Sequence, residues 1–193
     1  RIFVEKRPGV SPEAGNLLGD LRGFLGIAGL EGVRILNRYD VEGISPAVYE
    51  KAKHIVFSEP QVDEIWDETF PEPRSLHCLL AVEALPGQFD QRADSCAQCI
   101  QLMAGVERPL VAHAKVYLLE GKLDGGGLEK IKHYLINPVE SREASLEKPE
   151  TLARSHDAPP MVETLSGFTG LDQAGLAALL EKLGLAMDLD DLA

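Results

Sequence analysis

The sequence predicts an α+β fold built from two tandem copies of one small unit, followed by a helical tail. Three observations predict it. Turn residues recur at a fixed spacing: Arg7-Pro8-Gly9 lies over Leu85-Pro86-Gly87, and Glu42-Gly43 over Glu120-Gly121, each at an offset of 78. Within each copy, short apolar runs of strand character alternate with stripes at helical spacing. From about Glu147 the pattern gives way to a polar, proline-containing stretch. A period of 78 is too long for a solenoid unit and suits a duplicated domain. Lys51-Ala52-Lys53-His54 falls over Lys130-Ile131-Lys132-His133 one residue late, and Pro60 returns to register with Pro138.

Each copy opens with a strand, Ile2 to Lys6 and Leu79 to Leu85, and each strand ends at a Pro-Gly turn. In the first copy Ser11-Pro12 starts a helix whose stripe is Leu17, Leu18, Leu21, Phe24 and Leu25. In the second, Asp90 caps a helix striped by Ala93, Cys96, Ala97, Ile100 and Met103. Val33 to Tyr39 and Val111 to Leu119 are the next strands. The latter sets Val111, His113, Lys115, Tyr117 and Leu119 on one face against Ala112, Ala114, Val116 and Leu118. Ser45 to Val56 and Leu128 to Ile136 read as second helices, the latter buried through Leu128, Ile131 and Leu135. Val62 to Trp66 and, less clearly, Val139 to Ala144 leave room for a third strand. Helices on one face of antiparallel sheets make each copy a ferredoxin-like layer, and the two copies would pair as a pseudo-dimer that hides their sheet edges. The expected division is a first repeat at 1–68, a second at 69–145, a linker at 146–165 and the start of a helical segment at 166–193. There Asp172 caps a helix striped by Leu176, Leu179, Leu180 and Leu183, and Gly184 ends it.

Composition bounds the function. The 193 residues carry a net charge of −12, which argues against a duplex nucleic-acid binder. Residues 137–193 hold 11 acidic and 4 basic side chains, so the tail carries most of that charge. No apolar run approaches the roughly 20 residues of a membrane span. Three cysteines without a pairing pattern suit a reducing compartment, and the expected location is the cytoplasm. Arg1-Ile2-Phe3-Val4 begins inside a strand-like run, and Asp188 with Asp190 and Asp191 announces a further helix. The expectation is a piece of a longer chain.

No motif supplies a self-sufficient catalytic, cofactor or metal site. Cys96 and Cys99 form a C-x-x-C pair with no second pair for zinc, and they sit inside a helix rather than at its reactive start. Among His54, His77, His113, His133 and His156 there is no HExxH or HxH spacing. His54 and His133 hold matched places in the two copies, which suits a structural role. Gly125-Gly126-Gly127 lacks the Walker lysine and reads as a plain loop. The unusual segment is Gln88-Phe89-Asp90-Gln91-Arg92-Ala93-Asp94. Its candidate residues Gln88, Asp90, Gln91, Arg92 and Asp94 form either a capping region, with Arg92 pairing Asp90 or Asp94, or an interface that orients an anion.

Several runs resemble the N-terminal region of single-chain phosphoribosylformylglycinamidine synthases of the clostridial type. They are Arg1 to Gly9, Leu36-Asn37-Arg38-Tyr39-Asp40-Val41, Leu85 to Ser95 with Gln98-Cys99, Tyr134 to Glu143, and Gly184 to Leu192. The resemblance implies two fused PurS-like copies, followed in the parent by a linker domain, an ATP- and Mg²⁺-dependent synthetase domain and a glutaminase domain. These would be its partners within one chain, in a ligase of purine synthesis using glutamine as nitrogen donor. The family's catalytic, ATP and Mg²⁺ residues would lie downstream of Ala193, so this piece is expected to be inactive alone and to couple glutaminase to synthetase; it is expected to be mainly monomeric because its repeats already satisfy each other. The alternative is a free-standing module binding a small anion between its copies through Arg7, Arg38 and Arg92.

Overall fold

A computed structural model describes residues 1–153, 162 and 164–192. Contacts divide the chain into two units, Arg1–Arg154 and Ser155–Ala193. The first contains β1 (Ile2–Lys6), α1 (Pro12–Gly23), β2 (Leu30–Glu42), α2 (Pro46–Ala52), β3 (Asp63–Asp67), β4 (Leu76–Ala84), α3 (Gln91–Ala104), β5 (Leu110–Gly121), α4 (Gly125–Leu135) and β6 (Ser141–Glu143). The second contains a 3₁₀ turn at Phe168–Gly170, α5 (Gln173–Leu183) and α6 (Leu189–Leu192). Asp172 caps α5 by accepting from the Gly175 N–H, and Gly184 closes the helix at φ 60°, the left-handed conformation glycine adopts without strain.

The strands form one antiparallel sheet in the order β3-β1-β2-β5-β4-β6. A single continuous sheet thus runs through the unit, with β2 and β5 at its centre. Its register carries the spacing read from the sequence. Ile2 faces Tyr39 and Val4 faces Asn37 across β1 and β2. Leu80 faces Tyr117 and Val82 faces Lys115 across β4 and β5, so both partners have moved by 78. Val4 opposite Ile65 and Val82 opposite Glu143 repeat the relation on the outer strands. In the central β2–β5 ladder, Asn37 faces Lys115, which is itself a pair 78 apart. Order and register thus read alike from either edge of the sheet about that pair.

The residue by which the spacing returns from 79 at His54–His133 to 78 at Pro60–Pro138 has a structural place. Helix α2 runs on into a π-turn at Lys53–Phe57, whereas α4 stays α-helical throughout. A π-turn is how a helix absorbs one inserted residue. Ala52 and Ile131 are both fully buried on either side of this adjustment. Lys53 pairs with Asp67, and Lys132 with Glu143, each a carboxylate on the third strand of its own half.

All four helices of this unit lie on one face of the sheet. There α1 and α4 cover Val33, Ile35, Leu80, Tyr117 and Leu119 through Leu17, Leu21 and Ile131. The α2 π-turn and α3 cover Ile2, Val4 and Tyr39 through Ala52, Phe57, Cys96 and Ile100. Each fully buried aliphatic or aromatic side chain contributes about 1.5–3 kcal/mol by leaving water. Phe24, expected on the α1 stripe, is instead 79% exposed because α1 ends at Gly23 and Phe24 becomes its C-cap. On the opposite face Phe3, Leu36, Ala81, Ala114, Val116 and Leu118 are buried with Ala144. Residues 144–152 run back over this helix-free face. Arg38 donates to Ser145 O, Arg1 to Leu146 O and Glu147 O, and the Thr151 hydroxyl and Leu152 N–H donate to Glu42.

Candidate functional site

On the helix-bearing face the two apolar clusters are separated by polar side chains at the middle of the sheet. Asn37 projects there from β2, and His113 and Lys115 from β5, because alternation along each strand puts these odd-numbered residues on that side. The start of α3 stands beside them. Between lies a cleft of about 530 Å³. Its lining includes Val82, His113, Lys115 and Tyr117 from the sheet, Gln88 to Arg92 from the α3 start, and Glu140 and Ser141 before and at β6.

Four of the five candidate residues line this cleft: Gln88, Asp90, Gln91 and Arg92. Asp90 accepts from the Ala93 N–H at 3.0 Å, capping α3 as its sequence position predicted. Its Oδ1 also stands 3.9 Å from His113 Nδ1. Arg92 pairs with neither Asp90 nor Asp94; its Nη1 donates to the Tyr39 hydroxyl at 3.4 Å. Asp94 is not a lining residue and bonds Arg108 and Gln98 instead. Gln88 donates to Val139 O at 3.2 Å, tying the α3 approach to the segment before β6.

His113 is the most perturbed group in the cleft. Its side chain is 11% exposed, and burial pulls the imidazolium pKa down to about 4; the Asp90 carboxylate opposes this, while Arg92, Lys115 and Arg38 add to it. It is therefore neutral at pH 7. His113 Nε2 lies 3.1 Å from Asn37 Oδ1; with the Asn37 amide in this orientation the proton sits on Nε2 and the Nδ1 lone pair faces Asp90. The Tyr39 ring stacks at a tilt 5.1 Å from the imidazole, and burial raises the Tyr39 phenol pKa. Burial also pushes Tyr117 up to about 12, with Glu13 adding to it, so both phenols keep their protons. Lys115 is held by Glu13 in the first turn of α1 at 2.5 Å.

The three arginines of the anion-binding alternative do not converge. Arg7 donates to Asp63 O and Pro60 O beyond the end of β1. Arg38 lies on the helix-free face in a buried cluster with Arg1 and Asp40; only Arg92 reaches the cleft. In that cluster Arg1 binds Asp40 through two nitrogens at 2.7 and 3.0 Å. Burial and the Arg1 charge lower the Arg38 pKa, and its Nε has no hydrogen-bond partner among the described residues.

The remaining sequence candidates do not line this cleft. Cys96 is buried and its thiol is pushed up to about 11, and burial raises Cys78, so neither carries the lowered pKa of a reactive thiol; Cys99 is exposed. Gly125 to Gly127 open α4, where the Asp124 carboxylate already accepts from the Gly127 N–H at 2.6 Å and puts negative charge at the helix start. His54 and His133 are both exposed, and His156 lies outside the described residues. Among the described residues no group of three or more His, Cys, Asp and Glu side chains is placed to hold a metal, and no helix is long and apolar enough to cross a membrane.

The sequence marked one wall of the cleft and missed its floor. His113, Lys115 and Tyr117 were visible only as polar atoms on the otherwise apolar face of β5. With the geometry in hand, neither a family profile nor a curated protein matches the chain.

Proposed function

We propose that this chain is the PurS-like N-terminal module of a single-chain phosphoribosylformylglycinamidine synthase, and that its role is structural. The observation that carries the reading is the sheet register, in which all four pairings of β1 with β2, and three of the five of β1 with β3, recur 78 residues later. Together with the single π-turn offset, this supports a fused duplication of a ferredoxin-like unit paired as a pseudo-dimer. The runs from Leu85 to Ser95 and Tyr134 to Glu143, which carry the resemblance, lie around the cleft and the β4–β6 edge.

In this reading the module is cytoplasmic and mainly monomeric, and its partners are synthetase and glutaminase domains of the same chain. ATP and Mg²⁺ belong to the parent ligase. Ammonia released by a glutaminase protonates and escapes in bulk water, so transfer to a synthetase needs an enclosed path and a rigid body to dock the two domains. A sheet with a continuous central ladder supplies such a body.

Two measurements test the proposal. The coding sequence downstream of residue 193 is expected to encode a synthetase and a glutaminase domain; an unrelated domain there sinks the reading. The purified 193-residue chain is expected to show neither ATP hydrolysis nor glutaminase activity, and turnover of either kind at about 1 s⁻¹, within the usual enzyme range, would overturn it.

A further inference from the structure

We propose that the cleft beside the start of α3 binds a free α-amino acid, with its ammonium between Asp90 and His113 and its carboxylate on Arg92. The inference stands independently of the reading above, since it uses only the chemistry of the cleft.

Asp90 Oδ1 and His113 Nδ1 face one another at 3.9 Å. The proton of the neutral imidazole is committed to Asn37, so both facing atoms are hydrogen-bond acceptors. Two acceptors at this separation repel unless a donor lies between them. A donor at the usual distance of about 2.8–3.0 Å from each fits that gap, and an ammonium carries enough protons to serve both. Arg92 supplies the opposite pole. Its only hydrogen bond among the described residues is the one to the neutral Tyr39 hydroxyl, and no carboxylate there lies within ion-pair distance of it. The other cation of the cleft, Lys115, is already paired with Glu13. Tyr117 lines the same space, is only 7% exposed, and its hydroxyl has no hydrogen-bond partner among the described residues. A volume near 530 Å³ lies within the range of small-ligand sites, about 300–1,000 Å³.

The sheet register supplies a separate argument. The caps of α1 and α3, Ser11 and Asp90, and their buried residues, Leu17 and Leu21 against Cys96 and Ile100, lie 79 apart, so the counterparts of Asp90 and Arg92 are Ser11 and Glu13, and that of His113 is Ile35. Ile35 is buried in the apolar cluster, and Glu13 pairs with Lys115. The first half therefore builds these positions from a serine cap, a carboxylate and an isoleucine, so neither a guanidinium nor an imidazole is required by the fold at the matching places of the second half. These groups are gathered on one side only, where they form one donor-seeking pair and one free cation.

Calorimetric titration of the 193-residue chain with each of the twenty L-amino acids, and with acetate and methylammonium as half-ligands, tests the proposal. At least one amino acid is expected to bind saturably below about 10 mM, with Asp90→Asn and Arg92→Gln each weakening it about tenfold or more. Asparagine still caps a helix, and Arg92 is exposed, so both variants are expected to fold. Nitrogen NMR of the wild-type His113 ring provides a readout that needs no variant: the Nδ1 resonance must move on titration. No binding by any amino acid at about 10 mM, binding that leaves Nδ1 unmoved, binding indifferent to both substitutions in folded variants, or acetate binding as tightly as the amino acid would each overturn it.

Discussion

The imidazole of His113 is neutral in the folded chain and free to protonate in the unfolded one, which makes it a sink for stability at mildly acid pH. Its folded pKa is about 4 against 6.5 for the ordinary group. Between those values the unfolded state binds a proton that the folded state does not, so stability falls as pH drops from about 6.5 to about 4. The full difference amounts to roughly 3 kcal/mol. The lowered Asp67 and Glu68 carboxylates add losses at the acid end, but identically in any His113 variant. His113→Gln keeps a donor for Asn37 and removes the titration. Urea unfolding at pH steps from 7 to 4 should show the wild type losing stability that the glutamine variant retains, and parallel profiles would refute the assignment. Alternation along β5 set His113 on one face of its strand in advance, but its place opposite the face of Arg38 follows only from the β2–β5 register. What could not be read was which helix start lies over β5, since the acidic partner Asp90 is distant in sequence and is brought to His113 only by the packing of α3 on the sheet.

At the scale of elements, the return of the spacing from 79 at His54 to 78 at Pro60 is explained by the π-turn at Lys53–Phe57, and that extra residue has a direct consequence. Deleting Ile55, which is 68% exposed, should convert the π-turn into a plain α-helical turn like that of α4. Ala52 and Phe57 would then keep their buried places, as Ile131 and the partly buried Leu135 do in α4. The cost should not exceed about 2 kcal/mol. Deleting the exposed Gln98 from the middle of α3 is the control, since it rotates all later residues by about 100° and takes Ile100 out of the core, at about 3–5 kcal/mol. Urea midpoints of the two deletions decide the matter, and equal losses would count against the insertion. The elements of the first unit were legible because each carries a period of 2 or 3.6 bounded by Pro, Gly or a capping side chain. Strand ends were not: β2 and β5 extend to Leu30–Glu42 and Leu110–Gly121, beyond the apolar runs that mark them. Partner strands dictate that extra length. Gly29 and Gly121 approach so closely there that a Cβ on either would strike the opposing backbone. The run of residues 144–152 across the helix-free face was equally unreadable, since its anchors are carbonyls accepting from Arg1 and Arg38, and a carbonyl is common to every residue.

For the first unit as a whole, the halves divide at the β3–β4 connection but the cores do not. One apolar cluster joins Leu17, Leu21 and Ile35 to Leu80, Tyr117 and Ile131, and the other joins Ile2, Tyr39 and Phe57 to Cys96 and Ile100. Phe70 packs edge-on against Phe3 at 4.7 Å, so the connection up to Glu72 belongs with the first half. Peptides 1–72 and 73–153 should each fail to fold as monomers, because each exposes half of both clusters and a long unpaired central strand. The alternative for each is to pair with its own copy in the register of the intact sheet. For the second peptide that register sets Lys115 directly opposite the Lys115 of the other copy, a like-charge cross-strand pair that opposes association. In the first peptide Asn37 would face Asn37, which is uncharged but lacks the Glu13–Lys115 and Tyr134–Asp20 contacts of the intact chain. Mixing the two should therefore give a one-to-one heterodimer with the circular dichroism of the intact unit. Lys115→Asn in the second peptide should permit a homodimer that the unsubstituted peptide does not form. Light scattering on each peptide and on the mixture measures this, and a cooperatively folded monomer of either half would show that the sheet is not a mutual structure of the two.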